Sequence, residues 1–203
     1  MQKTTIYLVR HGETEWNKKG ILQGWLDSPL TEVGIKQAQL LSEKLATLNI
    51  GSVYSSDLGR AIHTASILAP SKPILKDARL REIYLGEWQG QEISNLNDVP
   101  DYFTYCNQPH LFQGDTQERF EQISKRMMEC LQNIHQQTVG NVLVVSHGVA
   151  ILCCLMHIMK MPIENLWEIA NIQGTSVTIL ECKDGQITVK SVGEIEHLNE
   201  ICK

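Results

Sequence analysis

The sequence predicts an α/β domain in three layers, and three observations carry that prediction. Short apolar runs rich in β-branched residues stop at charges, serines or glycines. Between them lie stretches with apolar residues at helical spacing, and near the end two alternating runs flank Asp184-Gly185. At 203 residues and 42% apolar content the chain can bury a full core, and its length suits a single domain, 1–203, better than two.

In order, Thr5-Ile6-Tyr7-Leu8-Val9 has the β-branched and aromatic content of a buried strand. Residues 18–30 read as a polar loop holding Gly20, Gly24 and Ser28-Pro29, after which Thr31 caps a helix over 32–48. Ile35, Ala38, Leu41, Leu45 and Leu48 give that helix one apolar stripe. Val53-Tyr54-Ser55 is the second strand and 58–68 the second helix, stopped near Pro70, which cannot continue it. Ile74-Leu75 reads as a short edge strand. Residues 86–115 show little periodicity and many aromatics, which predicts a lid-like insertion or a small helical subdomain packed on itself. Asp115-Thr116-Gln117-Glu118 resembles a capping box for a helix whose stripe is Phe120, Ile123, Met127, Leu131 and Ile134. Residues 141–145 form the next strand, 149–160 a helix apolar nearly all round, and 175–180 with 186–189 a hairpin about Asp184-Gly185.

A formal net charge of -5 without a basic cluster argues against nucleic acid or an anionic membrane as the main partner. An anionic substrate must then be held by a local pocket. The first residues predict neither a signal peptide nor an anchor, and the longest apolar run, 149–156, is too short for a bilayer, so a cytoplasmic protein is expected. Six cysteines (Cys106, Cys130, Cys153, Cys154, Cys182, Cys202) lack Cys-x-x-Cys spacing and read as reduced thiols, mostly core filler.

The chemistry concentrates where strands end. Arg10-His11-Gly12 follows the first strand, and open α/β sheets gather ligands at the carboxyl ends of their strands. An arginine offers a planar fork of donors to phosphate oxygens, and a histidine can attack phosphorus near neutral pH. Alone, this triplet would more often be a strand-end charge beside a structural histidine. Ser146-His147-Gly148 repeats the pattern after another apolar run, and Ser55-Ser56-Asp57-Leu58-Gly59-Arg60 leads from the second strand to an arginine in a first helical turn.

With Arg10-His11-Gly12-Glu13-Thr14, Ser55 to Arg60, Glu82 and His147-Gly148 in that order, the chain resembles the histidine phosphatase superfamily, the phosphoglycerate mutase-like proteins. The resemblance spans most of the chain. It implies a mainly parallel central sheet with helices on both faces, and His11 as a nucleophile that forms a phosphohistidine. It places Arg10, Arg60 and His147 around the phosphoryl oxygens, with the Gly148 amide and Asn17 as further donors and Gln23 and Gly24 at the rim. Glu82 is implied as general acid, which needs burial or phosphate charge around it to hold a proton. Glu13 and Glu87 compete for that task, and Glu82 has a structural alternative as ion-pair partner of Arg79 or Arg81. Asn17 outside this context would be an ordinary loop residue. The scheme needs no metal or other cofactor; a His11/His147/Glu82 zinc site is the rival, disfavoured by two adjacent arginines.

The chain is similar to bacterial broad-specificity phosphatases of the PhoE type, through Leu80-Arg81-Glu82-Ile83, Pro109-His110-Leu111 and Gly174-Thr175-Ser176-Val177-Thr178-Ile179. Similar short proteins include α-ribazole phosphatases. Cofactor-dependent phosphoglycerate mutases use extra basic residues after the acid glutamate, whereas residues 86–113 here contain no lysine or arginine. Tyr102, Phe103, Tyr105, His110 and Phe112 in that stretch suggest a pocket for varied small phosphomonoesters with hydrophobic leaving groups. A phospho-ligand sensor without catalysis is the reading from another class.

Overall fold

The computed structural model describes residues 3–200. β1 (Lys3–Arg10) leads to a one-turn helix, α1 (Glu15–Lys19), then α2 (Glu32–Leu45), β2 (Ile50–Ser55), α3 (Gly59–Leu68) and the short β3 (Ile74–Lys76). After a region of 3₁₀ turns come α4 (Pro100–Asn107), α5 (Phe120–Gln137), β4 (Gly140–Ser146), α6 (Gly148–Met159), β5 (Val177–Lys183) and β6 (Gln186–Glu194). The six strands form one sheet in the order β3-β2-β4-β1-β5-β6. Only β5 runs against the others, because a tight hairpin joins it to β6 and it pairs antiparallel with β1. Asp184 (φ 50°) and Gly185 (φ 79°) take the two left-handed positions that such a turn requires.

Side chains alternate across the strands, so each strand feeds two cores. Ile6, Leu8, Val142 and Val144 face one way and pack with Ile123, Met127 and Leu131 of α5 and Ile151 and Leu155 of α6. Val9, Val53, Leu143 and Val145 face the other way, against Ala38 and Leu41 of α2 and Ala61 and Ala65 of α3. The three layers and the mainly parallel sheet are as expected. No helix among the described residues is long and apolar enough to cross a membrane.

Several local readings change. The loop expected over 18–30 starts only after Lys19, the last residue of α1, whose cap is Thr14: its Oγ1 accepts from the Asn17 amide at 3.2 Å, while Asn17 Oδ1 accepts from the Thr14 amide. Asp115 does not cap α5. The helix starts later, at Phe120, where Gln122 Oε1 accepts the Arg119 amide at 2.8 Å, and Glu118 instead binds Arg126. β5 starts at Val177 rather than Thr175, since Thr175 sits at φ 61° and donates its amide to the Arg10 carbonyl at 3.0 Å. α2 stops at Leu45 and α6 at Met159, with Lys160 left-handed just beyond it. Five cysteines are free, and Cys202 lies outside the described residues. Burial pushes the Cys154 thiol up to about 12 and Cys182 up to about 11, which keeps both protonated and inert.

Residues 86–115 are packed. Trp88, Tyr102, Tyr105 and Phe112 are buried against one another and against Phe120, with ring centroids 5.3–5.9 Å apart. Phe103 points to solvent, and of the five residues expected to line an aromatic pocket only Tyr105 reaches the cleft described below. The hydrophobic leaving-group pocket expected from composition is therefore mostly core, because large rings gain more from burial in a cluster than along an open wall.

Candidate active site

β1 and β4 are neighbours in parallel register, with Arg10 opposite Ser146. The next residues, His11 and His147, leave the sheet side by side, and the His11 amide donates to the Ser146 carbonyl at 3.0 Å. Their rings meet edge to face with centroids 5.0 Å apart. β2 ends on the other side of β4, and Ser56 beyond it places its hydroxyl 2.8 Å from His147 Nε2. Arg60 follows in the first turn of α3. Strand ends that are distant in sequence thus converge through sheet order alone.

His11 is oriented at both nitrogens. Its Nδ1 lies 2.7 Å from the Gly12 carbonyl, which can only accept, so Nδ1 carries the hydrogen. Nε2 therefore holds a lone pair, and Arg60 Nε donates to it at 3.2 Å. Burial, then the charges of Arg60 and Arg10, hold this imidazole well below its usual value, against a smaller opposing pull from the Gly12 bond. The ring stays neutral at physiological pH. His147 is likewise driven well down by burial, Arg60, His11, Arg126 and Arg10. Its Nδ1 is buried without a partner.

The arginines are built in differently. Arg10 donates through Nη1 to the Ile172 carbonyl at 2.6 Å, leaving its buried Nε without a partner. Arg60 is latched by the loop that precedes α2, giving Nη1 to the Leu26 carbonyl and Asp27 and Nη2 to the Gly24 carbonyl at 2.7 Å. Asp27 also accepts the Gly59 and Arg60 amides, so one carboxylate caps α3 and holds its arginine. Sequence reasoning missed Asp27, which has no local signal: its partners are more than thirty residues away.

Glu82 is the acid of the three candidates that faces the cleft. Its Oε1 accepts the Ile83 and Ala150 amides, each at 3.0 Å, and Oε2 accepts Val149 at 3.3 Å. Arg79 and Arg81 pair with Asp77 and Asp57, so neither holds Glu82. Glu13 is committed to Thr31, and Glu87 is exposed.

These groups border a cleft of about 170 Å³ lined by Arg10, His11, Asn17, Gln23, Gly24, Arg60 and Glu82, with Leu22, Leu85, Ile93 and Tyr105 on its apolar side. Leu22, Leu85 and Ile93 carried no sequence signal beyond hydrophobicity. Two expected members stand apart. His147 is wholly buried beside His11 and does not line the cleft, and Gly148 borders an adjoining hollow with Arg10 and Trp167. Among the described residues no three His, Cys, Asp or Glu side chains are grouped to hold a metal: His11 and His147 turn their nitrogens to Gly12, Arg60 and Ser56.

A sheet covered on both faces, with two imidazoles and two guanidiniums gathered at its carboxyl edge, defines an α/β protein with a cleft lined by cationic donors. The chain belongs to the histidine phosphatase superfamily (branch 1), which it matches over residues 6–195, and so to a family of phosphatases and mutases. It is 32% identical over 210 residues to the Proteus mirabilis protein named "Probable phosphoglycerate mutase GpmB", covering 97% of this chain and 95% of that one. Among solved structures it is similar to Bacillus stearothermophilus YhfR, with 37% identity and a TM-score of 0.92 over 96% of this chain and 99% of that one. It is also similar to a phosphoserine phosphatase from Entamoeba histolytica in complex with 3-phosphoglyceric acid. That pair shares 28% identity and a TM-score of 0.86, over 96% of this chain and 99% of the other.

Proposed function

We propose that the protein is a metal-independent phosphomonoesterase of broad specificity for small organic phosphates, working through a phosphohistidine on His11. The observation that carries this reading is the tautomer of His11. With Nδ1–H tied to Gly12, Nε2 presents its lone pair between two guanidiniums at the cleft. An incoming phosphoryl group takes over the Arg60 Nε donor, uncovering the nucleophile as it binds.

In the first step Nε2 forms a bond to phosphorus while the ester P–O bond breaks, and the departing alkoxide takes a proton from Glu82. Of the two Glu82 oxygens, Oε2 has only the 3.3 Å bond from Val149 and so has room for that proton. Arg10 and Arg60 stabilise the charge that spreads over the transferring oxygens, and His147, packed against His11 behind the cleft lining, supports that charge from within the wall through its unpartnered nitrogen. Asn17, whose Oδ1 is held by Thr14, offers its Nδ2 donor, with Gln23 and Gly24 shaping the rim and Gly148 beside Arg10 in the adjoining hollow. In the second step water attacks phosphorus, gives its proton to Glu82, and the N–P bond breaks to release phosphate. Residues 86–115 serve as a packed cover that contributes Ile93 and Tyr105 to the cleft.

The preference for hydrolysis over mutase activity rests on charge. The cleft has two cationic side chains, Arg10 and Arg60, and its cover has none, whereas a doubly phosphorylated intermediate needs counter-charges at both ends. Phosphate release from a panel of alkyl and aryl phosphates in chelator tests this, beside a 3-phosphoglycerate assay primed with bisphosphoglycerate. Release from several esters without isomerisation supports the reading. Isomerisation faster than hydrolysis overturns it.

A further inference from the structure

The segment that carries Glu82 belongs to no strand. It leaves a 3₁₀ turn at Ala78–Leu80 and crosses the end of the sheet, so its carbonyls have no ladder to join and need other partners. One side chain supplies most of them. Arg126, on α5, donates Nη1 to the Arg79 carbonyl at 2.8 Å and to the Arg81 carbonyl at 2.6 Å, and Nη2 to the Glu82 carbonyl at 3.0 Å. The same guanidinium makes a bidentate pair with Glu118, Nε to Oε1 at 2.7 Å and Nη2 to Oε2 at 2.9 Å. The two side chains are only 16% and 14% exposed. Glu118 then extends the grip along the chain, accepting the Tyr84 amide on Oε2 and donating its own amide to the Tyr84 carbonyl at 2.8 Å. Ser146, next to His147, completes the set by donating to the Leu80 carbonyl at 2.9 Å.

We propose that Arg126, held by Glu118, is a positioning residue that fixes the backbone of residues 79–84 and so sets where the Glu82 carboxylate meets the leaving group. This rests on the reading of Glu82 as proton donor. From below, Glu82 is anchored at its carbonyl by Arg126 and by Trp25 Nε1 at 2.8 Å; from above, its carboxylate is fixed by the first turn of α6. A planar fork with five donors reaches three carbonyls and one carboxylate together, which a lysine cannot do. Loss of the fork leaves the Glu82 carbonyl to Trp25 alone and strips the Arg79 and Arg81 carbonyls of their partner, while Arg10, Arg60 and His11 stay in place.

The test compares Arg126→Met, Arg126→Lys, Glu82→Gln and the double variant Arg126→Met/Glu82→Gln on an alkyl phosphate and on a nitrophenyl phosphate, whose leaving group needs little protonation. Arg126→Met should lower kcat for the alkyl ester by roughly 10- to 100-fold, within the usual contribution of general acid catalysis. KM and the nitrophenyl burst rate, which reports transfer to His11 before Glu82 acts on water, should hold, Arg126→Lys should restore part of the loss, and the Met change should cost nothing further in Glu82→Gln. Equal losses on both esters, or a further loss in the Gln background, overturn the proposal. Should the Met variant fail to fold, Arg126→Lys, which reaches fewer carbonyls at once, carries the same comparison. If Glu82→Gln itself spares the alkyl ester, the acid assignment fails on its own account, separately from the clamp.

Discussion

Arg60 Nε donates to His11 Nε2 at 3.2 Å, so the imidazole nitrogen that bears the lone pair rests against a cation. That pairing has a consequence for pH. Burial, Arg60 and Arg10 keep the folded His11 from protonating near 6.5, so kcat/KM on an aryl phosphate should show no loss from nucleophile protonation between about pH 7.5 and 5.5. After correction for the substrate's own ionisation, a fall that titrates near 6.5 would contradict this.

Stability should move the other way. An unfolded histidine takes up a proton below 6.5, while folded His11 and His147 do not, and His197 is held down to about 4 by burial and by Lys44. The unfolded chain therefore binds more protons below 6.5, and the midpoint of thermal unfolding should drop steadily from pH 7 toward pH 4. His11→Asn should flatten that slope, which a pair of melting series checks.

Asp27→Ala removes both the α3 cap and the Arg60 latch. Urea unfolding should show a loss of about 1 kcal/mol, in the range for removing a helix cap. KM for any phosphate ester should rise while the leaving-group preference stays unchanged, because Arg60 binds oxygens and does not donate the proton.

Gly12 lies against the start of α2, where an added Cβ would stand 2.8 Å from the Gly34 carbonyl oxygen. Backbone cannot step aside as a side chain can, so Gly12→Ala should cost roughly 1–3 kcal/mol and displace His11, with activity falling more than stability alone explains. Denaturant melts and steady-state rates on the folded fraction separate the two effects.

Trp88→Ala tests whether residues 86–115 are core or hinge. Trp88 is 2% exposed among Tyr102, Tyr105 and Phe112, so its truncation should destabilise the whole domain by about 3–5 kcal/mol in a single cooperative transition. An early local transition, seen by hydrogen exchange over 86–115 alone, would mark a separate lid.

Much of this arrangement was legible in the chain. Strand-end Arg10-His11 and His147, the Arg60 helix turn, the Ile74 edge strand and the Asp184-Gly185 hairpin are each written in local chemistry, and local chemistry decides them. The rest depends on partners far away in sequence. Asp27 and Arg126 look like ordinary surface charges until α3 and residues 79–82 are placed beside them. Pro100 at the start of α4 is a helix signal that the weak periodicity around it obscures. The aromatics between Trp88 and Phe112 could have lined a pocket or filled a core, and only packing against Phe120 and Trp167 decided it.

The most direct test of the His11 assignment is rapid quenching of the enzyme during turnover of a nitrophenyl phosphate, followed by peptide mapping under alkaline conditions. A phosphate that is acid-labile and alkali-stable should appear on the peptide carrying His11 and be missing in His11→Asn. Its appearance on His147, or full turnover by His11→Asn, would contradict the account.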